Sequence, residues 1–520
     1  MNGAQAVART LAGCGVTTCF ANPGTSEIHF VAALDGVPQL RGVLCLFEGV
    51  ATGAADGYGR MTGRPAATLL HLGPGLANGL ANLHNARRAR TPLLAIIGDH
   101  ATYHKRLDAP LESDIDALAG SVSGWVRRCS RSADAGSDTA EAVAAALRPP
   151  GQIATLILPA DVTWTDGAKP AAPTVPRPPS PVPAEVIGQV ATVLRSGEPA
   201  VILLGGTGLH RAALDAASNV ARATGARLLA ETFPARHERG AGIPPVDRLG
   251  YFVELAAGQL AGTRHLILAG ATTPVSFFAY PDKPSTPLPA GCQAHVLAEA
   301  GDDVPGALAS LADLVGAGEL QSAQRQAPAG RPELPDGELT AQTAASVIGA
   351  LLPEGAIVCD ESNTSGIWLP AATAGAPPHD WLSLTGGAIG QGLPLATGAA
   401  LACPDRPVLA LEADGSAMYT ATALWTHARE QLDITTVIFS NRAYAILTME
   451  LERTGASTTG TTALGMLDLS RPDIDFTALA AGMGVPASRA STAADFAAQL
   501  RHALAEPGPH LIEAALPPRG

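Results

Sequence analysis

Residues 409–447 read LALEADGSAMYTATALWTHAREQLDITTVIFSNRAYAIL and predict a strand, a helix and a second strand in succession. The apolar runs 408–411 and 434–439 have strand length, and residues 417–431 between them favour a helix. Asp414 and Asn441 each follow one of these strands. Because the carboxyl ends of parallel strands meet at one edge of a sheet, both side-chain oxygens can face one point. The stretch therefore predicts a parallel α/β sheet with polar groups gathered at its edge.

These polar groups have the chemistry of a site for a hard cation and a phosphate. Magnesium prefers one or two carboxylates, with neutral and phosphate oxygens completing an octahedron. Gly415 would let the backbone approach a diphosphate, and the N–H groups that open the following helix favour an anion. Asp-Gly-Ser alone is more often an ordinary turn, and that alternative stays open. The asparagine at the end of the second strand favours the ion site.

The rest of the chain continues the alternation of short apolar runs with alanine-rich helical stretches. Residues 166–184 and 316–338 are rich in proline or polar residues and are typical of linkers. They divide the 520 residues into a first block over 1–165, a central block over 185–316 and a last block over 339–520. Strands separated by helices predict parallel sheets covered on both faces. We therefore predict three doubly wound parallel-sheet α/β domains.

Composition and charge exclude several classes of protein. The formal net charge is −13 and 47% of the residues are hydrophobic, which disfavours a nucleic-acid partner and gross disorder. The seven cysteines are scattered without a Cys-x-x-Cys pair, as is typical of reduced core cysteines in a cytoplasmic protein. Residues 1–20 lack a basic start followed by an apolar run, so we expect no secretory signal. Residues 381–404 are uncharged but rich in glycine, which favours a loop and a buried helix over a membrane span.

The strand–helix–strand stretch resembles the signature of thiamine-diphosphate-dependent enzymes, in which Gly-Asp-Gly is followed some two dozen residues later by Asn-Asn. Ala413 and Ser440 depart from the first glycine and the first asparagine of that signature. The resemblance implies that thiamine diphosphate and Mg²⁺ bind here. The metal ligands that it implies are Asp414, Asn441 and the carbonyl of Ala443.

Two stretches upstream extend the resemblance through the last block. Residues 359–365, CDESNTS, resemble a phosphate-binding turn, although a plain helix cap is the alternative. Residues 384–394, LTGGAIGQGLP, resemble the loop that bends the cofactor, with Ile389 as the apolar wedge and Gly387 as the carbonyl that accepts from the cofactor's amine. The cofactor contacts implied in this block are Asn363, Thr364, Gly387, Ile389, Asp414, Gly415, Ser416, Tyr419, Asn441 and Ala443.

Glu48 in the first block is the expected activating acid. It ends an apolar run and opens a stretch rich in alanine and glycine, where a carboxylate would be largely desolvated. The alternative, from the residue alone, is a glutamate that complements a helix dipole. The run EGVATGAADGYGR over 48–60 resembles the first domain of the same family, in which a glutamate hydrogen-bonds the aminopyrimidine ring of the cofactor. The resemblance therefore gives Glu48 both a catalytic and a cofactor-binding role.

Two further motifs resemble benzoylformate decarboxylase. The turn Asn22-Pro23-Gly24-Thr25 matches a cofactor-binding turn whose hydroxyl, here that of Thr25, faces the substrate. His71 matches a catalytic histidine, whereas a lone histidine at a strand end would more often be structural. His100 and His104 could line the pocket or lie at the surface. Residues 274–279, PVSFFA, contain no histidine where that decarboxylase has a second catalytic one.

These motifs together imply a thiamine-diphosphate- and magnesium-dependent enzyme that acts on a 2-oxo acid. Residues 20–27, FANPGTSE, resemble acetolactate synthase large subunits, which favours decarboxylation with carboligation over decarboxylation alone. Acetolactate synthases also carry a flavin on the middle domain, but the lone turn GGTG over 205–208 does not predict an FAD site. Aromatic residues make up only 4% of the chain, which disfavours an aromatic-lined substrate pocket.

Three alternatives remain at this point. One is a decarboxylase of the benzoylformate type without ligation, and another is a cofactor-binding paralogue without turnover, which the departures at Ala413 and Ser440 motivate. A dinucleotide-binding oxidoreductase is disfavoured, because no Gly-x-Gly-x-x-Gly motif is well placed. In the resembled family the cofactor lies between the first domain of one subunit and the last domain of another, so a homodimer or homotetramer is implied.

Overall fold

The computed structural model describes residues 1–317, 330–456 and 460–518. In this part of the chain the strands form three sheets, and apolar cores lie on the faces of each. The predicted linker over 166–184 is mostly exposed, whereas much of the linker predicted over 316–338 lies outside the described residues. The α/β class is confirmed, and the domain boundaries stay a prediction.

The first sheet has the strand order β2-β1-β3-β4-β6-β5, and its neighbouring strands are parallel. Its strands are β1 (Thr18–Ala21), β2 (Arg41–Leu44), β3 (Ala66–Leu70), β4 (Leu93–Asp99), β5 (Trp125–Arg128) and β6 (Ile153–Pro159). The accompanying helices are α1 (Gly3–Gly13), α2 (Ile28–Leu34), α3 (Glu48–Thr62), α4 (Leu72–Ala89), α5 (Ile115–Gly120), α6 (Ala135–Ala146) and α7 (Ala160–Trp164).

The central sheet is also parallel and has the order β10-β8-β7-β11-β12. The central block contains strands β7 (Ala200–Leu204), β8 (Arg227–Ala230), β9 (His237–Arg239), β10 (Asp247–Arg248), β11 (His265–Ala269) and β12 (Gln293–Ala298). Its helices are α8 (Ala184–Leu194), α9 (Arg211–Thr224), α10 (Val253–Leu260) and α11 (Val304–Leu314). Strand β9 does not join this sheet.

The third sheet has the order β17-β18-β16-β15-β13-β14-β9. Its strands from the last block are β13 (Ile357–Glu361), β14 (His379–Ser383), β15 (Val408–Ala413), β16 (Ile434–Ser440), β17 (Ala487–Ala490) and β18 (His510–Ala515). The helices are α12 (Ala341–Leu351), α13 (Leu369–Ala372), α14 (Gly392–Ala402), α15 (Asp414–Ala417), α16 (Ala423–Glu430), α17 (Ala445–Arg453), α18 (Thr461–Gly465), α19 (Phe476–Gly482) and α20 (Ala493–Ala505). The sheet is parallel except at its edge, where β9 of the central block pairs antiparallel with β14. The sequence did not predict that a strand of the central block would join this sheet.

The helix predicted over 417–431 is wrong, because α15 and α16 are separate helices. The chain turns between them at Met418–Thr422, where the Thr420 hydroxyl donates to the Gly390 carbonyl at 2.9 Å. This contact with another loop overrides the helical preference of the local sequence.

Helices α3 and α14 join the first and last domains at close range. An added Cβ at Gly57 would overlap the carbonyl oxygen of Leu395, and one at Gly398 would overlap the carbonyl oxygen of Ala54. The buried apolar residues around this contact form one core shared by both domains, which includes Leu76, Ile97, Leu393 and Ala410. Since α3 begins at Glu48 and α14 begins after the predicted cofactor loop, the packing fixes one site element relative to the other.

Across the described residues, no helix combines the length and apolar character needed to cross a membrane. All seven cysteines lie in the described ranges and are free, with Cys19, Cys45, Cys129 and Cys359 buried.

Candidate active site

Asp414 lies at the carboxyl edge of the third sheet, directly after β15. Its side chain is buried, and its two oxygens accept the backbone N–H groups of Gly415 at 2.8 Å and Arg442 at 2.6 Å. The Tyr444 ring lies against Gly415, where an added Cβ would overlap it. The loops after β15 and β16 are thus joined through one carboxylate.

Asn441 and Ala443 occupy the loop after β16. Asn441 is buried, and its side-chain oxygen accepts the N–H of Ala443 at 3.1 Å. Arg442 and Tyr444 exchange backbone hydrogen bonds with Leu469 and Leu467. Ala443 is the bridge partner of Asp468, and among the described residues no backbone donor reaches its carbonyl. The structure therefore brings all three predicted metal ligands to one corner of the sheet.

This corner fits a magnesium ion held together with a diphosphate. Burial raises the pKa of Asp414 to about 6, and the backbone N–H groups that it accepts only partly offset this. A cation is the partner that would favour the ionised carboxylate. Within residues 1–317, 330–456 and 460–518, no cluster of three His, Cys, Asp or Glu side chains could hold a metal. One carboxylate with amide and carbonyl oxygens instead leaves coordination places for phosphate oxygens.

The predicted phosphate-binding turn lies beside this corner. Asn363 is exposed with a φ of 51°, and its amide donates to the hydroxyl of Ser416 at 2.9 Å. Thr364 follows it and is half-buried. The turn after β13 and the turn after β15 therefore present their polar groups together.

In the loop before α14, alternate backbone carbonyls accept hydrogen bonds from side chains of α4. The carbonyls of Gly386, Ala388 and Gly390 accept from His84, Asn85 and Asn82 of α4, at 3.2, 2.7 and 3.2 Å. Among the described residues, no hydrogen-bond donor reaches the carbonyl of Gly387. Gly387 has a φ of 74°, Ile389 is half-buried, and Tyr419 packs on Gly390. The Gly387 carbonyl is thus available to accept from a ligand, and Ile389 lies two residues beyond it.

Two helices of the first domain hold this loop through contacts that the sequence did not predict. Arg60 of α3 donates to the Ser383 carbonyl at 2.8 Å and to the Thr385 hydroxyl at 2.9 Å. Its partner Asp56 accepts from the Gln391 side chain at 2.6 Å, and neither side chain of the pair is exposed to solvent. The spacing of Asn78, Asn82 and Asn85 along one face of α4 was the available signal.

Glu48 is the first residue of α3 and is only 5% exposed. Its Oε2 atom accepts from the amide of exposed Asn78 at 3.0 Å. Its Oε1 atom lies close to Gly75 of α4, where an added Cβ would come within 3.1 Å. In the described part of the chain, no hydrogen bond joins Glu48 to the Asp414 corner. The acid and the metal corner, the two halves of the candidate site, therefore make separate sets of hydrogen bonds.

His71 belongs to a buried polar group that the sequence only partly predicted. Its Nδ1 atom lies 2.8 Å from Oε2 of Glu27 and 3.2 Å from the hydroxyl of Ser26. Glu27 is 2% exposed and also accepts the N–H of Gly24 at 3.0 Å. An added Cβ at Gly24 would overlap the imidazole. Ser26, and not the exposed Thr25, is the hydroxyl that contacts this histidine.

The remaining candidate residues of the first domain lie in the turn after β1 and in the segment around the end of β4. Asn22 is half-buried and Pro23 is exposed in the turn after β1. The Nε2 atom of His100 is buried without a partner among the described residues, and its ring lies 5.5 Å from that of half-buried His104. Asp99, before them, is buried and ion-paired with Arg128.

An aromatic group from the central domain reaches the cofactor loop. The ring of Phe277 lies against Gly387, where an added Cβ would come within 2.6 Å. Its centroid lies 5.2 to 5.8 Å from the rings of Tyr251 and Phe233. The ring of Phe278 meets it edge to face, with the two centroids 4.9 Å apart. Phe233, Tyr251 and Phe277 line a cavity of about 90 Å³. The few aromatic rings are therefore concentrated beside the cofactor loop, and the expectation about the substrate pocket stays a prediction.

Two family models match the chain, one at each end. "Thiamine pyrophosphate enzyme, N-terminal TPP binding domain" matches residues 1–119, and "Thiamine pyrophosphate enzyme, C-terminal TPP binding domain" matches residues 364–514. The first match includes Glu48 and His71, and the second includes Asp414 and Asn441.

Full-length relatives agree with these matches. The chain is 64% identical, over 99% of both chains, to IlvX of Mycobacterium tuberculosis, which is provisionally named as an acetolactate synthase large subunit. It is 30% identical to the benzoylformate decarboxylase of Pseudomonas aeruginosa, over 96% of each chain. The solved thiamine diphosphate-dependent 4-hydroxybenzoylformate decarboxylase of Rhodococcus jostii RHA1 matches with a TM-score of 0.86 and 26% identity, over 99% of each chain. The chain therefore belongs to the thiamine pyrophosphate enzyme family.

Proposed function

We propose that the chain binds thiamine diphosphate with Mg²⁺, decarboxylates a 2-oxo acid and joins the remaining acyl carbon to a second carbonyl compound, as an acetolactate synthase does. The observation that carries the proposal is the corner of the third sheet where Asp414, Asn441 and the Ala443 carbonyl meet. Beside it lies the loop that leaves the Gly387 carbonyl without a donor from the described residues.

Each part of the cofactor has residues of this chain to hold it. Asp414, Asn441 and Ala443 would hold the cation, and Asn363, Ser416 and the N–H groups beside Gly415 would meet the diphosphate. Gly387 and Ile389 would meet the rings, with Tyr419 packing behind them on Gly390.

Glu48 is the proposed activating acid. When bound, thiamine diphosphate supplies a carbon nucleophile and then accepts the electron pair that carbon dioxide leaves behind. The Glu48 carboxyl would hydrogen-bond the ring nitrogen of the aminopyrimidine and hold a proton there. Its burial supports this role, because a shielded carboxyl interacts more strongly with a single partner.

The substrate would meet His71. With Nδ1 directed to Glu27, the Nε2 atom is left to bind the substrate carboxylate or to deliver a proton. This arrangement favours a second candidate, a decarboxylase that protonates the acyl carbon and releases an aldehyde.

Phe277 favours ligation over that second candidate. Its ring lies against Gly387 on the cofactor loop and carries no proton donor. An apolar ring here would also exclude water from the reacting carbon. We therefore place carboligation first and simple decarboxylation second.

The two halves of the site would be completed between subunits of a homodimer or homotetramer. Apolar side chains that are exposed in the single chain lie beside both halves, and such patches mark contact surfaces. They are Leu46 near Glu48, Ile367 and Trp368 after the phosphate turn, and Met418 and Tyr419 after Ser416. The free and largely buried cysteines support a cytoplasmic location.

The test is cofactor binding and product analysis with Glu48→Gln beside the natural chain. We expect thiamine diphosphate to bind both proteins, with Mg²⁺ required, and turnover of a 2-oxo acid panel to be lost only in the variant. Acetolactate from pyruvate would support ligation, and acetaldehyde alone would assign simple decarboxylation. Cofactor binding without turnover of any 2-oxo acid by the natural chain would instead identify a silent paralogue.

A further inference from the structure

A second buried acid, Glu361, lies directly beneath the predicted cofactor-bending loop. It is the last residue of β13 and is 2% exposed. Its Oε1 atom accepts the N–H of Gly390 and its Oε2 atom accepts the N–H of Gly392, both at 2.6 Å. A single carboxylate thus holds the loop on both sides of Gln391, immediately after the predicted wedge Ile389.

The other groups around Gly390 leave its peptide little freedom. Its carbonyl accepts from Thr420 at 2.9 Å and from Asn82 at 3.2 Å, while its N–H goes to Glu361. Gly390 has a φ of 93°, a conformation that an L side chain rarely adopts. The hydrogen bond to Glu361 is the one that joins Gly390 to the end of β13.

A neighbouring carboxyl does not duplicate this role. Glu412 is the register partner of Glu361 on the adjacent strand, and it is also fully buried. Neither of its side-chain oxygens has a hydrogen-bond partner in the described ranges. Of these two carboxyls, Glu361 is therefore the one that accepts the N–H groups of Gly390 and Gly392.

We propose that Glu361 is a positioning residue for the cofactor: its carboxylate fixes the loop of Gly390 and Gly392 before thiamine diphosphate arrives, so that Ile389 and the Gly387 carbonyl are already in place. This inference rests on the proposed function. Binding costs less when the site does not have to be ordered by its ligand. A neutral amide at position 361 has a single acceptor oxygen and would leave one N–H facing an NH₂ group.

The experiment measures the Kd of thiamine diphosphate at saturating Mg²⁺ by calorimetry for the natural chain, Glu361→Gln and Glu231→Gln. Glu231 is a matched control, because it also accepts the N–H of a turn glycine, Gly206 at 3.1 Å, but in the central domain. We expect Glu361→Gln to raise the Kd by about 10- to 100-fold, since a lost hydrogen bond to a buried charged group is worth that much. We expect Glu231→Gln to leave the Kd within about twofold.

Two further measurements separate positioning from general stability. In Glu361→Gln the KM for the 2-oxo acid at saturating cofactor should change little, and added cofactor should raise the melting temperature less than it does in the natural chain. In the natural chain, hydrogen exchange at Gly390 and Gly392 should already be slow without cofactor. This exchange measurement decides the matter if the variant does not fold.

The proposal is overturned if Glu361→Gln binds the cofactor as tightly as the natural chain, or if Glu231→Gln weakens binding equally. Fast exchange at both glycines that slows only when cofactor is added would overturn it as well, because the cofactor would then order the loop. If the natural chain itself does not bind thiamine diphosphate, the proposed function fails and this inference falls with it.

Discussion

Oε2 of Glu27 lies 2.8 Å from Nδ1 of His71, so a fully shielded carboxylate holds a partly exposed imidazole. The two residues are 44 positions apart and come from the turn after β1 and the start of α4. A carboxylate partner on one ring nitrogen fixes the ring orientation and selects the proton carried by that nitrogen. The chemistry proposed for His71 therefore depends on Glu27.

We expect Glu27→Gln to lower kcat for decarboxylation by about 10- to 100-fold while cofactor binding stays unchanged. The substitution keeps the volume of the side chain but removes the charge that orients the imidazole. Steady-state kinetics with the best 2-oxo acid, together with a cofactor titration, would measure both effects. Ser26→Ala is the control, because it removes the 3.2 Å contact to the same nitrogen and the 2.7 Å hydrogen bond from the hydroxyl to Glu27, but it leaves the Glu27 carboxyl in place. A larger loss in Ser26→Ala than in Glu27→Gln would contradict the assignment.

Asp414→Asn should abolish cofactor binding, and the stability of the cofactor-free variant relative to the natural chain should be higher at pH 8 than at pH 5. Burial raises the pKa of Asp414 to about 6, so the ionised carboxylate costs the fold free energy once the pH exceeds that value. The stability that the protonated acid contributes is complete below the unfolded pKa and is lost as the pH rises through about 6. Allowing for partial screening by solvent, we expect the free energy of unfolding of Asp414→Asn, relative to the natural chain, to rise by about 1–2 kcal/mol between pH 5 and pH 8.

Melting curves at pH 5 and pH 8, with and without thiamine diphosphate and Mg²⁺, would check this expectation. The melting temperature of Asp414→Asn relative to the natural chain should be higher at pH 8 than at pH 5, and the ligands should raise the melting temperature of the natural chain only. A relative melting temperature that is the same at both pH values would contradict a raised pKa for Asp414.

The sequence predicted those parts of the site that each lie within one short stretch. Asp414, Asn441 and Glu48 follow strands or open helices, and the rule that strand ends share an edge was enough to place the two metal-corner residues together. Groups that meet only through the fold were missed. Glu361 reaches Gly390 from the end of another strand. Ser26 and Glu27 contact His71, which is 45 and 44 positions away in the sequence, so no local pattern shows the contact.

Strand β9 shows a different limit of sequence reading. Its residues, His237–Arg239, are charged or polar and have no apolar alternation, so no local pattern predicts a strand. Pairing with β14 supplies the hydrogen bonds that make it one. The interruption between α15 and α16 has a similar origin, because the contact of Thr420 with Gly390 is not visible in the local sequence.

Phe277→His should shift the products of the reaction from ligation toward the aldehyde. The Phe277 ring lies against Gly387, so an imidazole there would bring a proton donor to the cofactor loop. With pyruvate as substrate, we expect the ratio of acetaldehyde to acetolactate to rise by at least about tenfold, since general-acid catalysis contributes that much or more. Product analysis by mass spectrometry measures the ratio directly.

Phe278→His is the matched control for that substitution. Phe278 meets Phe277 edge to face, with the ring centroids 4.9 Å apart, and it is the more exposed of the two. Phe277 is the ring that lies nearest Gly387. The control should leave the product ratio within about twofold of the natural chain. Equal shifts in both variants would mean that the general polarity of the patch, and not the position of Phe277, sets the product.

Gly57→Ala should destabilise the protein and weaken the site without touching any site residue. The added Cβ would overlap the Leu395 carbonyl where α3 crosses α14, so the helices would have to separate. Such overpacking costs about 1–3 kcal/mol or more. Because α3 begins at Glu48 and α14 follows the Gly387–Gly390 loop, the separation would displace both elements from their positions in the assembled site, and we expect the Kd of thiamine diphosphate to rise.

Gly188→Ala provides the comparison, since Gly188 lies inside α8 with nothing within 4 Å of an added Cβ. Alanine there should raise the free energy of unfolding by about 0.4–1 kcal/mol through its better helix propensity. Calorimetric melting of both variants separates crowding from propensity, because the two changes are chemically identical. If Gly57→Ala melted no lower than Gly188→Ala, the two helices could not approach as closely as the structure places them, and the coupling between Glu48 and the cofactor loop through α3 and α14 would have to be abandoned.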